Sequence, residues 1–364
     1  MNVKTICNIL EEVAPLSLQE SYDNAGLLVG NAQQKVTGVL VCIDVTEAVI
    51  DEAIQYNCNM IVSHHPLIFS GLKRITGQNE VQRCVAKAIK NDLAIYAAHT
   101  NMDNVLDGVN GRIAQKIGLL NTQILSPMEN SLLKLVTYVP KIHSATVREA
   151  LFAAGAGHIG NYDSCSFNAD GTGTFKANDL AKPFVGEAHV LHAEPETKIE
   201  VILPSHLKNN VLAALFKSHP YEMPAYDIIA LQNTSNQIGA GLIGELQNEM
   251  DELDFLKEIK VIFKNPTIKY TALLGKKIKH VALCGGAGSF MLKNAISANA
   301  DVFISGDFKY HDFFEAENKI LIADIGHFES EQYTKELFYD IISKKIPTFA
   351  VRISDINTNP INYL

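Results

Sequence analysis

Three short apolar runs constrain this chain more than anything else in it: Val36 to Val45, Met60 to Val62 and Leu93 to Ala98. Each has the length of a strand, and each is followed by apolar residues at helical spacing. Those stripes are Val49, Ile50, Ala53 and Ile54; then Val81, Cys84, Val85, Ala88 and Ile89; then Val109, Ile113 and Ile117. Thr46 and Asp107 are placed to cap the first and third of these helices. Strands that alternate with helices predict a mostly parallel sheet covered on both faces. Such sheets gather ligands at the carboxyl ends of their strands.

At 364 residues the chain exceeds one typical core, so more than one domain is expected. From about residue 127 the pattern changes. Leu132 to Val139, Tyr162 to Asn168, Lys198 to Leu203 and Tyr226 to Leu231 read as strands, with Asp170-Gly171 as a turn. Helical stripes begin after Ser144, a candidate cap, and at Leu207. The order β-α-β-β-α-β predicts a ferredoxin-like α+β domain over residues 127–232. Alternation resumes afterwards: a helix near residues 252–263, strands at 278–283, 302–304, 320–325 and 347–351, and a helix carrying Tyr333, Leu337, Phe338, Ile341 and Ile342. The expected fold class is therefore α/β, with residues 1–126 and 233–364 as two Rossmann-like halves of one main domain interrupted by the insert.

The strand ends carry the chemistry. Ile61-Val62-Ser63 runs into His64-His65-Pro66, and Leu93 to Ala98 runs into His99, with Asp103 four residues on in a polar turn. Neighbouring side chains of a regular strand face opposite ways, but at a strand end the chain turns and both imidazoles can reach one cleft. Burying them without a partner is costly, and a metal ion supplies one. His327 and Glu331, four apart, share one face of a helix. Together, His64, His65, Asp103, His327 and Glu331 give three imidazoles and two carboxylates at matching ends of one inferred sheet. Nitrogen and oxygen donors without thiolate suit Zn, Mn, Fe(II) or Co rather than Cu(I) or Ca. Two ions roughly 3.5 to 4 Å apart need a bridging ligand. With Glu331 spanning both, His65 and Asp103 would serve one ion, and His64 and His327 the other.

His99, Asp307, Lys309, Tyr310 and His311 are the candidates for acid/base work around such ions, with His99 or His311 as a proton shuttle. The alternative for each is an ordinary surface or hydrogen-bonding residue. The segment Cys284-Gly285-Gly286-Ala287-Gly288-Ser289, between a strand and a helix, reads either as a tight turn or as amides that cradle an anion.

Composition narrows the function classes. A net charge of −9 argues against a protein that coats duplex nucleic acid. The six cysteines form no C-x-x-C pair and lie mostly in apolar runs, as buried reduced thiols of a cytoplasmic protein would. No basic segment followed by an apolar core marks a signal peptide, and no apolar run reaches the ~18 residues of a membrane span.

With these residues listed in order, the chain resembles the GTP cyclohydrolase 1 type 2 homologues, the Nif-three-like dinuclear-metal proteins. The resemblance rests on Asp23-Asn24-Ala25-Gly26-Leu27, Ser63-His64-His65-Pro66, His99-Thr100-Asn101-Met102-Asp103, the stretch from His219 to Asp227, Cys284-Gly285-Gly286, the stretch from Ser305 to Asp312, and Gly326-His327-Phe328-Glu329-Ser330-Glu331. It implies a metal pair held by His64, His65, Asp103, His327 and Glu331. It also implies a homohexameric toroid with the sites facing an internal cavity, and an insert similar to the PII and CutA proteins at residues 127–232. The expected activity is metal-dependent hydrolysis of a nucleotide or related heterocycle, as in opening the purine ring of GTP, with phosphodiester hydrolysis a close variant. The alternative is a non-enzymatic metal chaperone or regulatory protein whose insert senses a small ligand.

Overall fold

The apolar runs at residues 39–42, 60–63 and 94–97 form strands in which every residue is buried, the pattern of a sheet covered on both faces. A computed structural model describes residues 1–364. Its residues fall into two compact units: 1–127 together with 237–364, and 128–236. The molecule is a mixed α/β structure with three sheets.

The first sheet of the larger unit runs in the order Gly26–Val29, Ala94–Ala97, Met60–Ser63, Val39–Cys42, Val351–Ile353. Only Gly26–Val29 is antiparallel to its neighbour. Helices Glu47–Gln55 and Glu80–Lys90 connect the parallel strands and bury Val49, Ile50, Ala53, Cys84, Val85 and Ala88 in the core over Leu40, Ile61 and Ile95. Thr46 caps the first of them by accepting from the Val49 N–H at 3.3 Å, and Asn79 caps the second. Helix Thr334–Lys345 packs against Val39–Cys42 and against the N-terminal helix Val3–Val13.

The second sheet of this unit runs in the order Lys269–Tyr270, Leu321–Asp324, Val302–Gly306, Lys277–Ala287, Gly239–Asp251, Leu120–Pro127. The three strands ending at Asp324, Gly306 and Ala287 are parallel, so their carboxyl ends lie side by side. The smaller unit holds an antiparallel sheet in the order Phe167–Lys176, Leu191–Pro204, Leu132–Pro140, Tyr226–Ala230. Helices Ser144–Ala153 and Lys208–Ser218 pack on it through Val147, Leu151, Val211 and Leu215. All six cysteines are free, and five are buried. No helix is long and apolar enough to cross a membrane.

Several local expectations are corrected. Asp170 and Gly171 are not a turn: they pair with Thr197 and Glu196 inside Phe167–Lys176, where a ten-residue ladder overrides the local turn preference. Ser144 is not a cap, because a 3-10 turn at Lys141–His143 precedes it and its hydroxyl donates back to the Lys141 carbonyl. Asp107 does not cap Val109–Ile117; Gly108 takes that place, where a Cβ would overlap the Met102 carbonyl. The last strand is Val351–Ile353, not 347–351. Asp103 ends a short helix, Thr100–Asp103, rather than lying in a turn. The long antiparallel strands Leu120–Pro127 and Gly239–Asp251 had no counterpart in the sequence reading.

Candidate metal centre

Each donor in the centre is delivered by the end of a strand. Met60–Ser63 leads into His64 and His65, and Ala94–Ala97 leads through His99 to Asp103. Leu321–Asp324 leads to the short helix His327–Glu331. These five side chains converge within the larger unit. Glu331 is central: its Oε1 lies 3.5 Å from His64 Nε2, and its Oε2 lies 3.0 Å from His65 Nε2 and 3.2 Å from His327 Nε2. Asp103 Oδ1 is 3.8 Å from His64 Nε2. Asp103 therefore groups with His64, and His327 with His65, whose two Nε2 atoms are 3.2 Å apart. This reverses the distribution expected from the sequence, in which Asp103 went with His65.

The opposite edge of each imidazole is fixed. His64 Nδ1 meets the Ala98 carbonyl at 3.0 Å, His65 Nδ1 meets Asp44 at 2.7 Å, and His327 Nδ1 meets Asp307 at 2.7 Å. His99 Nδ1 meets Asp23 at 2.8 Å. Such contacts set the tautomer and leave Nε2 to face the centre as the free donor. Asp44 and Asp23 were missed as orienting groups. The available signal was their position: Asp44 just beyond the strand beside the one that bears the histidines, and Asp23 in the turn cluster before Gly26–Val29.

Within this cluster, His64 Nε2, Asp103 Oδ1 and Glu331 Oε2 are shielded from solvent and lack a hydrogen-bond partner of acceptable geometry. Burial by itself would raise the Glu331 pKa, but the imidazoles of His64, His327 and His65 hold it well below the usual carboxylate range. Burial would lower the His65 pKa, yet Asp44 and Glu331 lift it to about 10. His327 is lifted to about 9 against burial by Glu331 and Asp307. Burial raises Asp103 to about 7, opposed by His64. Two groups could hold a metal ion by the mutual approach of their donor atoms: His65 with His327 and Glu331, and His64 with His65 and His99.

Of the acid/base candidates, the structure brings His99 and Asp307 to the centre. His99 packs edge-on against His64 and His65, with centroids at 5.3 and 5.4 Å. Lys309, Tyr310 and His311 are instead exposed on the segment beyond Asp307, where Tyr310 packs on His311 and Phe314. The glycine segment is neither a tight turn nor an anion cradle. Cys284 to Ala287 continue the strand, and the N–H groups of Gly285, Gly286 and Gly288 donate to Asn110, Ser330 and Ser305.

A cavity of about 430 Å³ opens on the centre, with Tyr22, Asp103, Phe290, His327 and Glu331 among its walls. Cavities of about 690 and 620 Å³ lie elsewhere, and none of the five donors lines them. Donor chemistry rather than volume therefore selects the candidate site.

The family Duf34/NIF3 (NGG1p interacting factor 3) matches residues 1–360. A GTP cyclohydrolase 1 type 2 homolog of Halalkalibacterium halodurans is 41% identical over 368 residues, covering 100% of this chain and 99% of that relative. The homolog of the same description in Bacillus subtilis is 36% identical over 374 residues, covering 100% and 99%. The crystal structure of a Bacillus cereus protein related to NIF3 matches with a TM-score of 0.87 at 37% identity, covering 100% of this chain and 99% of that one. Sequence and fold agree along essentially the whole length, and the chain belongs to the Duf34/NIF3 family.

Proposed function

We propose that this protein is a metal-dependent hydrolase that holds two divalent ions, drawn from Zn, Mn, Fe and Co, and acts on a nucleotide or related heterocycle. One observation carries the reading: His64 Nε2, Asp103 Oδ1 and Glu331 Oε2 are buried without a hydrogen bond of acceptable geometry, although they crowd together around a single carboxylate. Unpaired buried polar atoms cost free energy unless something binds them, and divalent cations fit this donor set. His64, Asp103 and Glu331 Oε1 would hold one ion, and His65, His327 and Glu331 Oε2 the other.

Such a pair, when bound, supplies Lewis acidity and a water acidic enough to ionise near neutral pH. The chain's own residues do the remaining work. Asp44, Asp307 and the Ala98 carbonyl aim the three imidazoles. His99, held by Asp23, keeps its Nε2 available to take up and return a proton beside His64 and His65. Tyr22 and Phe290, both largely exposed at the cavity, offer aromatic surface to a flat ring. Lys309, Tyr310 and His311, exposed beyond Asp307, are kept as the outer acid/base candidates. The relatives' description makes GTP the first substrate to test.

The architectural part of the proposal takes residues 1–126 and 233–364 as two Rossmann-like halves and 127–232 as a ferredoxin-like insert, in a cytoplasmic homohexameric toroid. Parallel strands with connecting helices in the larger unit support the halves. The β-α-β-β-α-β order of the smaller unit supports the insert.

Metal analysis of freshly purified protein, followed by turnover assays on protein loaded with each of the four metals, tests the function. GTP, cyclic dinucleotides and short oligonucleotides are the substrates. Turnover that vanishes in Glu331→Ala and His65→Ala supports the hydrolase. Bound metal without turnover, with transfer to an acceptor protein, replaces it with the chaperone reading. Failure to retain any of the four metals removes both.

A further inference from the structure

The cavity of about 690 Å³ is lined wholly by residues of the 128–236 unit, among them Tyr138, Phe175, Phe184, Tyr221 and Glu196. Its rings do not stack into a slab. Phe175 and Phe184 lie 6.2 and 6.4 Å from Tyr221, at interplanar angles of 62° and 52°. Rings inclined in this way form walls, and the π face of each ring carries negative charge density.

Glu196 adds a full negative charge. Its Oε1 accepts from the Tyr221 hydroxyl at 2.9 Å, which fixes the carboxylate without neutralising it. Burial and then Glu196 push the Tyr221 pKa up, so the hydroxyl stays the donor. Gly173 makes room for this arrangement, since a Cβ there would overlap the Glu196 carboxylate. Of the two lysines that line the cavity, Lys198 pairs with Glu200 at 2.5 Å rather than with Glu196, and Lys141 nearby pairs with Asp170 at 2.6 Å. Lys182 is exposed at the rim, where its main-chain N–H donates to Glu222. An aromatic enclosure with an oriented carboxylate that lacks a cationic partner is the recognition chemistry of an organic cation.

We propose that this cavity is a binding site for a small molecule with an alkylated ammonium or guanidinium head, which Phe175, Phe184 and Tyr221 surround and Glu196 neutralises. The volume exceeds that of the head alone, so the ligand carries a further body toward the rim. The site uses none of the residues of the candidate metal centre, and the proposal stands whether or not the hydrolase reading does.

Isothermal titration of the full-length protein tests it. The probes are choline, agmatine, neohexanol as the uncharged carbon isostere of choline, and ATP as an anionic comparison. At least one of the two cations is expected to bind, and roughly tenfold more tightly than neohexanol. Glu196→Gln should weaken the cation roughly tenfold and leave neohexanol unchanged. Phe184→Leu keeps the apolar bulk but removes a π face at a half-exposed position, so it should weaken the cation several-fold without disturbing the fold. It serves as the decisive variant if Glu196→Gln misfolds by circular dichroism. No binding of either cation at millimolar concentration overturns the proposal. So does equal binding of choline and neohexanol, or binding of ATP alone.

Discussion

The Nε2 atoms of His65 and His327 face each other at 3.2 Å across Glu331 Oε2. Without a metal, protons must fill that space, and the raised pKa values of about 10 and about 9 describe that state. Asp103, at about 7, is raised as well. A group whose pKa is higher in the folded protein contributes stability that is complete below its unfolded value and lost as pH rises through its folded value. Asp103's share is therefore lost between its ordinary value of 3.8 and about 7, and the shares of His65 and His327 between their ordinary 6.5 and about 10 and about 9, so the melting temperature of metal-free protein should fall as pH rises from about 6.5 toward about 10. Metal loading displaces the same protons, so affinity should increase with pH, and titration heats should depend on the ionisation enthalpy of the buffer. Scanning calorimetry in chelator and titrations in two buffers check both. An affinity independent of pH would contradict the assignment.

The grouping of donors predicts unequal consequences for single substitutions. Asp103→Asn weakens only the ion held with His64, and His327→Ala only the ion held with His65. Each variant should retain about one metal equivalent where the parent protein retains about two. Glu331→Gln removes the carboxylate shared by both and should retain neither. Mass-spectrometric metal analysis after gel filtration reads the stoichiometry. Equal losses in all three variants would mean that the two halves of the centre do not bind independently.

How much of this could be read from the sequence depended on how local each signal was. The buried strands at 60–63 and 94–97 and the cap at Thr46 are short-range features, and two of the donors are adjacent in the chain. Which of His64 and His65 turns toward Asp103 is not local. It follows from their Nδ1 partners, the Ala98 carbonyl for one and Asp44 for the other, contributed by the two strands that flank Met60–Ser63. Asp170-Gly171 failed for a related reason: a turn dipeptide says nothing about the ladder partner that extends it. Leu120–Pro127 and Gly239–Asp251 lack sustained apolar alternation, and pairing with each other and with Lys277–Ala287 stabilises them.

Beyond the last strand, the C-terminal segment is tied to the centre. Thr358 donates to Asp44 Oδ2 at 2.6 Å while Asp44 Oδ1 holds His65 Nδ1, and Asn359 donates to Glu329 in the helix that carries Glu331. Groups that orient a metal-binding histidine typically tune affinity by 10- to 100-fold, and Thr358 acts one step further out. Thr358→Val should therefore weaken the ion held by His65 and His327 by roughly tenfold or less, with little change at the other ion. Thr358→Ser, which keeps the hydroxyl, should restore it. Competition with a fluorescent chelator separates the two affinities. A melting temperature lowered equally in metal-free and loaded protein, with both affinities unchanged, would make the contact structural only.

Gly286 offers the sharpest steric test. Its φ of +63° lies in the left-handed region, where a side chain is strained. A Cβ built there would overlap Glu331 Oε1 and lie 3.3 Å from His327 Nε2. Its N–H meanwhile donates to Ser330 Oγ at 2.9 Å, which locks the strand to the helix His327–Glu331. Gly286→Ala thus introduces backbone strain of about 1 kcal/mol or more and displaces the carboxylate shared by both groups of donors. The variant should fold, with a lowered melting temperature, and lose both metal equivalents together, as Glu331→Gln does. Gly285→Ala is the matched control: φ there is not positive, and a Cβ would crowd apolar carbons of Ile113 and Val109 at 3.1 and 3.3 Å while meeting Glu331 only at its Cγ, at an ordinary contact distance of 3.6 Å. It should cost stability through crowding while metal content stays near that of the parent. If the two alanine variants lose metal alike, Gly286 has no special relation to Glu331, and the loss belongs to the strand as a whole.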